Sequence, residues 1–232
     1  MKTIGLLGGM SWQSTVEYYR LINEAMNGRL GGFHSAKIIL YSVDFAPFEG
    51  MMQADDWARA AHLLGQAAQN VQAGGADCLL LCANTFHIVA QEIQDCLSIP
   101  MIHVVDATAE KIKAAGIHKI GLLGTHFVME KDFYKGRLIE QHNLEVLVPS
   151  PADRQIVHQV IFDELVRGNI NPKSRQQYQR IIRELAEQGA GGVILGCTEM
   201  ALLIKSADSP LPTFDTTELH ALAAVDLALG NS

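Results

Sequence analysis

Ile4-Gly5-Leu6-Leu7-Gly8 recurs unchanged as Ile120-Gly121-Leu122-Leu123-Gly124, an offset of 116 (120 against 4) in a chain of 232 residues. A second pair follows. Gly75-Ala76-Asp77-Cys78-Leu79-Leu80-Leu81-Cys82-Ala83-Asn84-Thr85 aligns with Gly189-Ala190-Gly191-Gly192-Val193-Ile194-Leu195-Gly196-Cys197-Thr198-Glu199, an offset of 114 (189 against 75). Each copy runs from Gly-Ala through a short apolar stretch into a polar turn. The two near-equal offsets indicate an internal duplication rather than a chance likeness of two strands.

Working outward, short apolar runs alternate with longer amphipathic ones. Thr3–Leu7, Lys37–Val43, Cys78–Cys82 and Met101–Val105 read as strands. Helical spacing covers Thr15–Asn27, Trp57–Ala73 and Thr85–Asp95. The order then restarts. Lys119–Leu123, Glu145–Val148, Gly192–Leu195 and Thr213–Phe214 read as strands, separated by helices over Asp132–Gln141, Ile156–Arg167 and Arg175–Gln188, with a helix start at Met200–Lys205. Such alternation predicts parallel sheets with helices on both faces. The expected fold is therefore α/β: two pseudo-symmetric, doubly wound domains, 1–114 and 115–217. The C-terminal helix Glu218–Leu229 returns to complete the first. A site is expected in the cleft where the domains meet.

Composition narrows the function. The net charge is −7 and no run of Lys or Arg occurs, so nucleic acid, which needs a basic stripe to displace counterions, is not an expected partner. The apolar start Met1–Gly9 is too short to span a bilayer and lacks the flanks of a leader. Cys78, Cys82, Cys96 and Cys197 form no C-x-x-C pair; a reduced, cytoplasmic setting is expected, with no membrane association. No His/Cys/Asp cluster has metal-ligand spacing, and Gly8-Gly9-Met10 lacks the glycine spacing of a dinucleotide loop.

In open parallel sheets ligands sit beyond the carboxyl ends of the strands. Both repeated turns, Ala83-Asn84-Thr85 and Cys197-Thr198-Glu199, fall there. Each is expected to open a helix whose first N–H groups, with Asn84, Thr85 and Thr198, hold a carboxylate. A thiol so placed would have a lowered pKa and act as a base.

At these residues the chain resembles the aspartate/glutamate racemase family, close to its bacterial broad-specificity amino-acid racemases. The likeness rests on Gly5-Leu6-Leu7-Gly8-Gly9-Met10-Ser11 with Thr15 and Tyr18-Tyr19, Asn84-Thr85 with His87, Met129-Glu130-Lys131-Asp132-Phe133-Tyr134, and Gly196-Cys197-Thr198-Glu199. It spans essentially the whole chain. The resemblance implies an isomerase without cofactor or metal, often a homodimer, in which two thiols on opposite faces of a substrate Cα exchange protons. One thiol alone would return its own proton and restore the same enantiomer. By the same pattern Met10, Ser11, Met52, Asn84, Thr85, Thr125, Arg167 and Thr198 contact the substrate, and Arg167 meets its carboxylate. The loop Ala46–Asp56, with Pro47, Phe48, Glu49, Met51 and Met52, selects the side chain.

One departure stands out. The family pattern places the second thiol at position 83, and this chain has Ala83. Cys82 is adjacent, but neighbouring strand residues face opposite ways, so it is expected to pack into the sheet. Three accounts fit: a replaced catalytic residue that leaves an inactivated variant, a one-base enzyme whose other face is served by water or a hydroxyl, or drift to a non-racemising role. Arylmalonate decarboxylases and maleate isomerases look similar, and a single thiol is the decarboxylase arrangement. A carboxylate binder without catalysis is the remaining alternative. His87, His103 and His126 are candidates to tune a thiol, Glu199 to orient its turn, and Asp106 and Asp215 to cap helices.

Overall fold

The computed structural model describes residues 1–230. The chain forms two compact units, Met1–Val104 with the segment from Thr217 onward, and Val105–Thr216.

The first unit is built on a four-stranded parallel sheet, order β2-β1-β3-β4, from β1 (Ile4–Gly8), β2 (Ile38–Ser42), β3 (Cys78–Leu81) and β4 (Met101–Ile102). β1 and β3 are buried along their whole lengths. This follows from continuous apolar runs in strands covered on both faces. Side chains alternate between two cores. Leu7, Leu79 and Leu81 pack with α2 (Phe45–Gln53) and α3 (Trp57–Ala73), while Ile4, Leu6, Cys78, Leu80 and Cys82 pack with α1 (Trp12–Leu30) and α11 (Thr216–Leu229). Asp56 caps α3 by accepting from Arg59 N, and Gly75 at φ 96° turns the chain out of it. A 3-10 turn Thr85–Val89 leads into α4 (Ala90–Asp95).

The second unit repeats the plan. Its sheet has order β6-β5-β7-β8, from β5 (Lys119–Gly124), β6 (Glu145–Leu147), β7 (Val193–Gly196) and β8 (Thr213–Asp215). Its helices are α5 (Val104–Ala114), α6 (His126–Glu130), α7 (Asp132–His142), α8 (Pro151–Asp163), α9 (Pro172–Glu187) and α10 (Met200–Leu203). α8 and α9 both start on proline, with Ser150 and Asn171 as side-chain caps; proline suits the first turn because its missing N–H would be unpaired there anyway. The register repeats too: Leu7 pairs with Leu81 in one sheet and Leu123 with Leu195 in the other. These pairs stand at the same 116 and 114 offsets, so positions 83 and 197 are equivalent places in two copies of one topology.

Four details differ from the sequence reading. The chain passes between units at Val104/Val105, not near residue 114. The reason is that α5 belongs to the second unit through Asp106, which accepts from Arg137 Nε and Nη2 (both 2.7 Å) and lies 2.8 Å from His142 Nε2. Burial pushes the Asp106 carboxyl up, but Arg137 and His142 outweigh it and hold it below its ordinary value; it is an ion-pair partner rather than only a cap. The expected strand Met101–Val105 stops at Ile102. The expected loop Ala46–Asp56 is largely helix α2. The expected helix Thr85–Asp95 is a 3-10 turn followed by α4. Among the described residues no helix is long and apolar enough to cross a membrane.

Candidate active site

The corner after β1 is tied down by its own backbone. Gly9 sits at φ +94°, and a Cβ there would meet Val43 O at 2.2 Å. Its N–H donates to Thr15 Oγ1 (2.8 Å), and that hydroxyl donates to Ser11 O (3.1 Å). Glycine is required here by both conformation and space. Two residues expected to touch substrate have structural work at this corner. Met10 is buried in the α2/α3 core, and Ser11 Oγ caps α1 by accepting from Ser14 N (3.3 Å).

Because β1 and β3 are neighbours, the Ala83-Asn84-Thr85 corner lies beside the Gly8-Gly9 turn. Cys82 is fully buried among Ile4, Leu6, Tyr18 and Ala221, and that burial pushes its thiol well above the usual range. Ala83 points the other way and packs on the α2/α3 side. Asn84 and Thr85 are buried at the mouth of the 3-10 turn. His87 then folds back. Its Nδ1 lies 2.7 Å from Ala83 O, and its Nε2 accepts from Val104 N (3.3 Å). One ring nitrogen donates and the other accepts, which fixes a neutral tautomer and pins the carbonyl of position 83. Met52 is buried on α2. That helix reaches the same corner by packing the Phe48 ring edge-on against Phe86, centroids 5.9 Å apart.

In the second unit Gly124 pairs with Gly196, so Thr125 and Cys197 follow adjacent strand ends. Thr125 caps α6, accepting from Val128 N (3.4 Å). Cys197 is half-buried, and its Sγ donates to Oε2 of buried Glu199 at 3.0 Å. Burial first, and the Glu199 carboxylate second, push this thiol well above its ordinary value. This overturns the expected lowered pKa. α10 has only four residues, too short to develop a useful dipole, and the nearest charge is negative. The first corner opens on a five-residue 3-10 turn, Thr85–Val89, that runs into α4. Thr198 is half-buried. Arg167, itself exposed, ends the 3-10 turn Leu165–Arg167, with Gly168 left-handed after it. Leu165 anchors that turn in the same core as Met200 and Leu203, the residues of α10.

The sequence pointed to Cys197 but not to its proton partner. Glu199 is two residues away, and only the curled turn after β7 brings its carboxylate back onto the sulfur. His126, a candidate to tune a thiol, instead meets His158, with ring nitrogens 3.1 Å apart. Among the described residues no group of three His, Cys, Asp or Glu side chains is placed to hold a metal ion.

Two matching α/β units, each with a polar corner beyond its central strands, one carrying a hydrogen-bonded thiol, define the class: a two-domain racemase-type α/β protein. The chain belongs to the Asp/Glu/hydantoin racemase family, whose model matches residues 7–224. It is 26% identical over 230 residues to the broad-specificity amino-acid racemase RacX of Bacillus subtilis, covering 97% of this chain and 98% of that one. Among solved structures, a candidate Asp/Glu racemase from Yersinia pestis superposes with a TM-score of 0.94 at 50% identity, covering 99% of this chain and 100% of the other. An aspartate racemase homologue from Pyrococcus horikoshii gives 0.87 at 35% identity, covering 99% and 100%.

Proposed function

We propose that the protein acts on the α-carbon of an amino acid, aspartate, glutamate or a broader set, by proton transfer through Cys197. The observation that carries this reading is the Cys197 Sγ–H donating to a buried Glu199 carboxylate at the end of a central strand. The step balances as follows. Glu199 takes the thiol proton; the thiolate takes the Cα proton; the C–H electron pair moves into the substrate carboxylate, for which Thr198, beside the thiol, is the hydroxyl donor. Reprotonation on the same face restores the starting enantiomer. Inversion needs a carrier on the other face, and Ala83 has none. In this reading the protein exchanges the Cα hydrogen on one face and racemises slowly, with water as the second carrier. The resting thiol is protonated, which suits a group that must also return a proton.

The test is deuterium wash-in at Cα for both enantiomers of aspartate, glutamate and a neutral panel, with racemisation followed in parallel. Exchange without matching racemisation is expected, falling by ~10²-fold or more in Cys197→Ser, as for loss of a general acid–base group. Ala83→Cys is expected to raise racemisation at least tenfold. Exchange that persists in Cys197→Ser defeats the proposal. Ala83 also favours a second reading, in which the single thiol protonates one face of a carbanion left by decarboxylation; carbon dioxide release from arylmalonates without amino-acid exchange would select it.

A further inference from the structure

The duplication gives Met10 and Met52 counterparts in the second unit. Met10 stands two residues past Gly8 of β1, and His126 two residues past Gly124 of β5, an offset of 116 (126 against 10). Met52 lies eight residues past Asp44, the cap of α2, and His158 eight past Ser150, the cap of α8, an offset of 106 (158 against 52). Helices α2 and α8 each follow the edge strand of their own sheet, β2 or β6. Where the first unit buries methionines, the second therefore sets a pair of half-buried imidazoles. Holding polar rings partly out of water costs free energy that methionine does not.

We propose that His126 and His158 form a carboxylate-binding subsite that reads the side-chain acid of aspartate or glutamate. It rests on the function proposed above and names the substrate class within it. The donors are already ordered. A neutral imidazole has one donor and one acceptor. His126 N–H donates to His158 Nδ1 (3.4 Å), which leaves the His158 proton on Nε2, 3.2 Å from His126 Nδ1. His158 thus donates to His126, and His126 keeps its own proton on Nε2, which has no protein partner among the described residues. Nearby cations are engaged elsewhere: Arg154 Nε donates to Glu130 (2.9 Å), and Lys131 Nζ lies over the Phe127 ring, 5.9 Å from its centroid. Phe127 and Phe162 flank the pair, 3.8 Å from His126 and 4.7 Å from His158 between ring centroids.

The pair stands near the thiol. Gly124 and Gly196 are partners on neighbouring strands; His126 is two residues beyond one and Cys197 one beyond the other. At ~4.8 Å between strands and ~3.8 Å between consecutive Cα atoms, their backbones are at most ~16 Å apart. A dicarboxylic amino acid and the two side chains cover that span. Desolvation holds both rings below their ordinary pKa, His158 down to about 4 with His126 adding to the effect. Glu130 on α6 and Asp163 on α8 pull the other way, and Lys131 opposes Glu130 at His126. The free pair is therefore neutral near pH 7. A bound carboxylate supplies the missing counter-charge and draws one proton onto the pair, shared as N–H⁺···N between the rings. An amide side chain cannot do this.

Calorimetry on the full chain tests this by comparing aspartate with asparagine and glutamate with glutamine, pairs alike in shape and unlike in charge. At pH 6 each acid is expected to bind about tenfold tighter than its amide or better, as for a hydrogen bond to a charged group. The gap is expected to shrink as pH rises to 8, and the heat to vary with buffer ionisation because a proton is taken up. His126→Gln and His158→Gln are each expected to close the gap and leave amide binding unchanged, which also shows that they fold. His126→Met, which restores the first unit's residue, carries the same expectation should His158→Gln unfold. Cys197→Ser keeps the gap, since binding needs no thiol. A wild type without acid preference, a preference constant from pH 6 to 8, a preference kept by the histidine variants, or their equal loss of acid and amide each overturns the proposal. Acid preference without Cα exchange would defeat the catalytic reading and spare this one; exchange without acid preference would do the reverse.

Discussion

Cys197 and Glu199 form a pair in which neither group can be understood alone. The sulfur donates at 3.0 Å to a carboxylate buried beside it, so ionising the thiol would set two negative charges side by side. Burial and that charge both favour the neutral thiol. Glu199→Gln removes the charge and keeps the shape. The Cys197 thiol pKa is then expected to fall, and its alkylation by iodoacetamide to reach half-maximal rate at a lower pH, because thiolate is the reacting form. Peptide mass spectrometry must separate Cys197 from exposed Cys96. An unchanged midpoint would mean that burial alone sets the thiol. At this scale the sequence located the thiol but mistook its electrostatics. A helix start was legible after Cys197; its four-residue length and the return of Glu199 were not, since both depend on how the turn curls in space.

The strand-to-helix corner is the element that both units reuse, and its glycines set its shape. Gly9→Ala puts a Cβ at φ +94° against Val43 O. The expected cost is about 1–3 kcal/mol or more from overpacking and backbone strain, measured by urea unfolding. Gly28→Ala on exposed α1, where nothing lies within 4 Å, is expected to stabilise by about 0.5–1 kcal/mol. Equal effects of the two would refute the role of the corner. Strands β1, β3, β5 and β7 were legible to within a residue or so, because buried parallel strands are continuous apolar runs. α2 was not, because Pro47 and Gly50 read as loop. Asp44 caps it, accepting from Ala46 N (3.3 Å), and Phe48, Met51 and Met52 bury one face. His103-Val104-Val105 continues the strand pattern of β4 in the sequence, but β4 ends at Ile102. Instead Val104 gives its N–H to His87 and α5 begins.

For the molecule as a whole the duplication accounts for two sheets of identical order and register, but the copies are not closed in the same way. The chain returns after Thr216, and α11 packs Ala221, Ala224, Val225 and Ala228 onto the first unit beside Ile4, Leu6, Tyr18, Ile22 and Leu80. His220 joins it there, with Nδ1 2.8 Å from Tyr18 Oη and Nε2 2.7 Å from Ile102 O. Removing the chain after Thr216 therefore uncovers one face of the first sheet and strips one buried and one half-buried hydrogen bond, a loss comparable to the ~5–15 kcal/mol that holds a domain folded. The second unit, Val105–Thr216, keeps its own sheet and core. Hydrogen exchange on the truncated chain is expected to show protection lost from β1, β3 and α1 but retained in β5, β7 and α9. Loss spread evenly over both units would show that they fold as one cooperative body, and unchanged protection in β1 would show that α11 is dispensable to the sheet it covers.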